Sequence, residues 1–293
     1  MDLKKRIKYI LCILLLLGSF GCTKSDKMEQ KDAKPQIEQK ELNDAKSAFR
    51  AEVNRIKKEK QQLNIELEKA KQYMEKKNPV YDPDTEVDLK DTIQYIEEEK
   101  KEIPEIPENL TDIQNMTKEV LKKINYTEEI EDIRNKKYLL KESAQKYIQI
   151  HAPSSSFVKE KLKKNTLIKE ITSITKKTDP YGNLNKEHQY IGMVFFSSKF
   201  VNQKKVVINE WKSTGNKIID RGVDGGGSVE IFATEKDAKK RNEYLKKFDG
   251  TLLSGGRHKQ LGTLVIRTSR FLSETKQNQL EESIQDSLLE VDK

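Results

Sequence analysis

Hydrophobic positions fall into three patterns along the chain. Residues 9–17 form an unbroken apolar run behind Lys4, Lys5, Arg6 and Lys8. As a helix that run rises only about 14 Å, against about 30 Å of bilayer hydrocarbon, so it predicts a secretory leader rather than a membrane span. Further on, Leu42, Phe49, Ile56, Leu63 and Ala70 recur at heptad spacing, interleaved by Lys46, Val53, Lys60, Leu67 and Met74. This stripe predicts one long amphipathic helix from about residue 37, ending near Asn78 because Pro79 and the turn at Tyr81, Asp82 and Pro83 cannot continue it. A second helix is predicted over 87–102, with Leu89, Ile93 and Ile96 on one face. A third starts at Thr111, whose spacing to Gln114 is that of a capping box, and a fourth follows Asn125 with Ile130, Ile133, Leu140, Ala144 and Tyr147 inward. None is apolar all round, so they must cover one another, as an extended helical stalk or bundle over 37–152.

The third pattern begins after His151, Ala152, Pro153 and the serines 154–156, which read as a linker. Strand-like segments enriched in β-branched and aromatic residues lie at 167–174, 190–201, 204–208, 228–232 and 261–268. Between and around them lie helices at 157–164, at 235–247 behind the cap residues Thr234 and Asp237, and after Ser273. This order predicts an α+β domain over 157–293, a mainly antiparallel sheet covered by helices on one face.

Composition narrows the class. The chain has 293 residues, 34% hydrophobic and 35% charged, enough for one modest core beside helices that bury only a stripe. Its net charge is +8, of which the first 21 residues supply +3, leaving +5 beyond Gly21. Residues 154–293 alone carry +8, so the basic charge is distal. Two cysteines and three histidines leave no material for a disulfide framework or a Cys-rich zinc site.

The apolar run ends in Gly18, Ser19, Phe20, Gly21 and Cys22. This segment resembles bacterial lipoprotein signal peptides, in which a Cys directly after a small residue becomes the lipidated first residue. Gly21 fits that pattern, whereas Ser19 and Phe20 stand where such signals usually carry Leu and a small residue. The resemblance implies a signal peptide over 1–21, lipidation at Cys22 and a polar tether over 22–36; a free thiol beside an ordinary signal is the alternative. Cys12 would leave with the leader.

The C-terminal part also resembles a recurrent domain of uncharacterised surface lipoproteins from low-GC Gram-positive bacteria. The residues that carry this are Thr178, Asp179, Pro180 and Tyr181; Ser197, Ser198, Lys199 and Phe200; 226–232 with Glu235, Asp237, Ala238, Arg241 and Tyr244; and 262–267. It implies a lipid-anchored protein on the outer face of the cytoplasmic membrane, with no activity attached to the family.

Candidate chemistry is sparse. Gly222, Gly225, Gly226 and Gly227 precede a strand, whereas a phosphate loop needs a following helix N-terminus, so a turn or bulge with φ above zero is expected. Asp179, Asn183, Asn185 and Glu187 alternate like calcium ligands but lack the EF-hand Gly and bidentate Glu, and the Asp-Pro-Tyr-Gly-Asn turn accounts for them. His258, beside Gly255 and Gly256, reads as a solvated loop residue. No nucleophile, metal cage or cofactor loop is legible, and no cofactor is expected. The leading expectation is a non-catalytic surface lipoprotein. Its partners would be the membrane through Cys22, a wall polymer or an envelope protein, and a second copy through the helical stalk, with Trp211, Lys239 and Lys240 as candidate contacts. Nucleic acid is not expected. The alternatives are an envelope enzyme or enzyme inhibitor using Glu230 or Asp224, or a mobile-element exclusion lipoprotein.

Overall fold

A computed structural model describes residues 30–99, 101–207 and 213–292. The leader, Cys22 and Trp211 lie outside them. The fold is α+β, with a five-stranded antiparallel sheet.

The described residues divide into two compact units. The first contains the beginning of α1 (Gln30–Met74) up to Ile56, together with Glu102–Ile124. Within it α3 (Leu110–Asn115) starts at the cap Asn109, whose side chain accepts from Asp112 N, rather than at the expected Thr111. A short π-helical turn, Met116–Val120, and a 3₁₀ turn, Leu121–Lys123, follow. Arg55 donates to the carbonyls of Leu121 and Ile124, tying the end of the 3₁₀ turn to α1.

The second unit holds Lys57–Lys101 and Asn125–Lys293, including α2 (Asp84–Glu98) and α4 (Thr127–Ile150). The stripe read from sequence is the buried face of these helices: Leu63, Leu67 and Ala70 on α1, Leu89, Ile93 and Ile96 on α2, and Ile130, Ile133, Leu140 and Ala144 on α4. Lys60 of the same stripe stays exposed. Glu66 is the charged exception inside. It accepts from Lys137 at 2.8 Å and from Lys69 and Arg134 at 3.3 Å. The hydrogen bond from Lys137 outweighs the cost of burial and, with Lys69 and Arg134, lowers the carboxyl from 4.5 to about 2.

The sheet runs β1 (Ile168–Ser173), β2 (Gly192–Ser198), β3 (Gly226–Ile231), β5 (Leu264–Thr268), β4 (His258–Leu261) in spatial order. Helices cover both faces, not one. Val194, Phe196, Val229, Ile231, Leu264 and Ile266 face a core closed by α5 (Ser155–Lys163), α8 (Glu274–Leu289) and Ile150 at the end of α4. Met193, Phe195 and Val265 face Ile219 of α6 (Lys217–Arg221), Val223 and Ala238 of α7 (Glu235–Lys246). Burial on both sides is why β2 and β3 are closed to solvent at every position.

Two further differences from the sequence reading have local causes. The segment expected as one strand over 261–268 is a hairpin, β4 and β5, folded at Gly262 and Thr263 with Leu261 opposite Leu264. The 204–208 segment is no strand in its described part: Asn202 caps a 3₁₀ turn at Gln203–Lys205 by accepting from Lys204 N. The sequence places a linker at 151–156, and those residues are ordered. Ser154 caps α5 by accepting from Phe157 N, Thr263 N donates to Ile150 O, and Gln149 donates to the carbonyls of Leu288 and Glu290.

Replacing Glu66 with Gln is expected to destabilise the protein by about 1–2 kcal/mol near neutral pH. The folded-state carboxyl sits below its ordinary 4.5, so its stabilisation is complete above that pH and is lost as pH falls toward about 2. Denaturant midpoints of wild type and Glu66→Gln should therefore converge on acidification; a constant difference down to low pH would refute the assignment.

Candidate functional site

The most polar place in the sheet core lies on the α6–α7 face. Ser228 pairs with Arg267, and Glu230 with Val265, in the β3–β5 ladder, so Glu230 and Arg267 project from the same face on neighbouring strands. Above them α7 is started by Thr234, which accepts from Asp237 N as the N-cap half of the expected capping box, while its hydroxyl, rather than its backbone N–H, donates to Asp237 Oδ2. Ala238, Arg241 and Leu245 follow at helical spacing and turn toward the sheet.

Glu230 is fully buried, 0% exposed. Arg241 grips it with two bonds, Nε to Oε2 at 2.7 Å and Nη2 to Oε1 at 3.0 Å, and Arg267 Nη1 adds a third to Oε1 at 3.1 Å. Burial pushes this carboxyl upward, but the hydrogen bonds and charges of Arg241 and Arg267 outweigh it and hold it below the ordinary glutamate value. The carboxylate is thus ionised and committed. Taken by itself the cluster carries two guanidinium charges against one carboxylate.

Beside the cluster opens a cavity of about 450 Å³. Arg241 and Arg267 form part of its wall, with Tyr181, Tyr190, Tyr244, Phe248 and Leu253 as apolar lining. The guanidinium of Arg241 lies 5.7 Å from the Tyr244 ring centroid. Tyr190 donates to Asp179 Oδ1 at 2.6 Å, and burial together with that bond pushes its phenol up. The Asp179 carboxyl is lowered: burial raises it, and the donors Tyr190 Oη, Leu184 N and Tyr181 N overcome burial. Asp179 therefore closes the Pro-Tyr-Gly turn through its own hydrogen bonds. Its two oxygens are already engaged there, where the sequence had also suggested a cation ligand.

A second cavity, about 410 Å³, shares Tyr181, Leu253, Gly255 and Arg267 with the first. Asp224 lines it with its carboxylate paired to Arg270 at 3.1 Å. The glycine segment reaches this cavity as a 3₁₀ turn, Gly222–Gly225, leading straight into β3. Gly222 takes φ +59 as expected of the turn, whereas Gly227 is required for a different reason: a Cβ there would collide with the Arg267 carbonyl and the Phe196 ring.

His258 is a correction to the sequence reading. It opens β4 with its side chain only 8% exposed, Nδ1 lying 2.8 Å from Asn242 Oδ1 and Nε2 3.2 Å from Asp249 Oδ1. These partners, one on α7 and one just after it, could not be read from spacing because the hairpin brings them together. Lys239 and Lys240 lie on the exposed side of α7 and are not among the residues lining either cavity. Sequence reasoning named Glu230, Arg241 and, within 262–267, Arg267, without bringing them together. The legible signal was an acid in the middle of an apolar strand and a base on the inward stripe of the next helix. Comparison with protein-family models, with curated proteins and with solved structures finds no match to this chain.

Glu230→Gln removes the charge that two inward arginines share, and is expected to cost about 3 kcal/mol or more. Because the folded-state carboxyl is depressed, the loss should be full near neutrality and shrink only on strong acidification. Chemical denaturation at neutral pH checks this; a cost under about 0.5 kcal/mol, typical of a surface site, would contradict the cluster.

Proposed function

We propose that the chain is an exported, lipid-anchored bacterial surface protein whose sheet domain is a non-catalytic recognition module. The leader, with its basic start, its short apolar run and Cys22 after Gly21, supports export and anchoring. Recognition rather than turnover is supported above all by Glu230: beneath a ligand-sized cavity, its carboxylate is fixed in ion pairs. Acid–base chemistry needs a group within reach of substrate and free to exchange a proton. The walls of the 450 Å³ cavity carry no carboxylate among the described residues, and the imidazole of His258 in that lining is engaged with Asn242 and Asp249. The excess of base over acid after residue 153, including exposed Lys239 and Lys240, favours an acidic partner in the envelope, such as a wall polymer or an acidic protein surface.

Replacing Cys22 with Ala tests the anchor. The variant should stay unprocessed or leave the membrane fraction for the medium, whereas wild type should require detergent for release. A Cys22→Ala protein with a cleaved leader and unchanged detergent-dependent membrane association would refute lipidation.

A further inference from the structure

We infer that the cavity beside Arg267 binds a small organic oxyanion, a carboxylate or phosphate carried on a flat apolar body, with the charged end on Arg267 and the body between Tyr181 and Tyr244. The inference rests on reading the domain as a recognition module and names what that module takes.

Glu230 neutralises one of the two guanidinium groups that reach it, so one positive charge is left over in a place where Arg267 is only 11% exposed. Among the described residues Arg267 donates to Glu230 through Nη1 alone, and it lines both cavities. A desolvated cation without a full set of acceptors is costly, and an anion bonding to its open edge removes that cost. The cavity volume, about 450 Å³, lies within the range of small-molecule sites, and the combination of aromatic walls with few convergent polar groups is that of a pocket holding an apolar body by one charged end. Tyr181 is 49% exposed and Tyr244 50% exposed, so both rings are open to a ligand. The loop after α7 supplies the rim: Leu253 is 74% exposed yet borders both cavities, placing an apolar side chain over the mouth.

The test uses the purified full chain and titration calorimetry with benzoate, phenyl phosphate, inorganic phosphate and the neutral benzamide. Saturable binding of benzoate or phenyl phosphate, with benzamide weaker by about tenfold, is expected, since one charge-assisted bond is worth about that factor. Which of the two anions binds more tightly identifies the head group, and inorganic phosphate should bind more weakly than phenyl phosphate because it leaves the aromatic walls unfilled. Arg267→Met should abolish binding. Because that change also disturbs Glu230, Leu253→Asp gives an independent reading: it puts a negative charge on the exposed rim and should weaken anion binding about fivefold with an unchanged melting temperature. Absence of saturable binding by both organic anions, equal affinity for benzamide, or indifference to Leu253→Asp would overturn the site. Each of these failures concerns the cavity alone, whereas failure of the anchored-module reading would show in the fractionation of Cys22→Ala.

Discussion

One buried carboxylate organises the α6–α7 face of the sheet. Glu230 sits in the middle strand with nothing of its surface in water, and it is tolerable there because Arg241 meets it from the helix above and Arg267 from the next strand. The two-pronged bond from Arg241 fixes where α7 lies along the sheet, since a shift by one residue would turn that arginine away and leave a charge alone in the core. Apolar packing at Ala238 holds the helix down, and the ion cluster determines its register. A buried ion pair of this kind adds little net stability over an apolar pair of like volume but is costly to break on one side, and the helix it tethers, α7, forms a wall of the cavity.

The centre of the other sheet face is apolar. Val229, Ile231, Leu264 and Ile266 pack under α5 and α8, and Ile150 at the end of α4 joins them, so the last turn of the preceding helix belongs to the same core as the strands. That face holds charge too, at its margin: Glu281 of α8 is buried and accepts from Arg257. A chain only 34% hydrophobic sustains strands buried on both sides because β2 and β5 are rich in apolar residues, β3 fills its remaining positions with glycines, Ser228 and the ion-paired Glu230, and the helices contribute a stripe each.

Much of the secondary structure was legible because its signals are local. Heptad spacing marked the buried face of α1, which ends at Met74, a few residues before the expected stop near Asn78, and Thr234 started α7 as an N-cap. The hairpin at Gly262 was missed because β4, with His258, Lys259 and Gln260 before its single aliphatic residue, carries no alternation of its own; pairing with β5 makes it a strand. Coverage of both sheet faces was missed because a fully buried strand and a half-buried one differ only in whether the alternate positions are also apolar, and Glu230 and Ser228 disguise that in β3. The site was the least legible part. Its components come from β3, β5, α7 and the turn at Tyr181, and only the antiparallel order of the sheet brings Arg267, thirty-seven positions from Glu230, into contact with it.

The account stands on coupling between Glu230 and Arg241, and a double-mutant cycle measures that coupling directly. Equilibrium unfolding of wild type, Glu230→Met, Arg241→Met and the double variant should give an interaction energy of about 2 kcal/mol or more, with the double variant closer to wild type than the sum of the singles. Additive losses, within about 0.5 kcal/mol, would show that the two side chains do not depend on each other and would contradict the view that their ion pair sets the helix over the cavity.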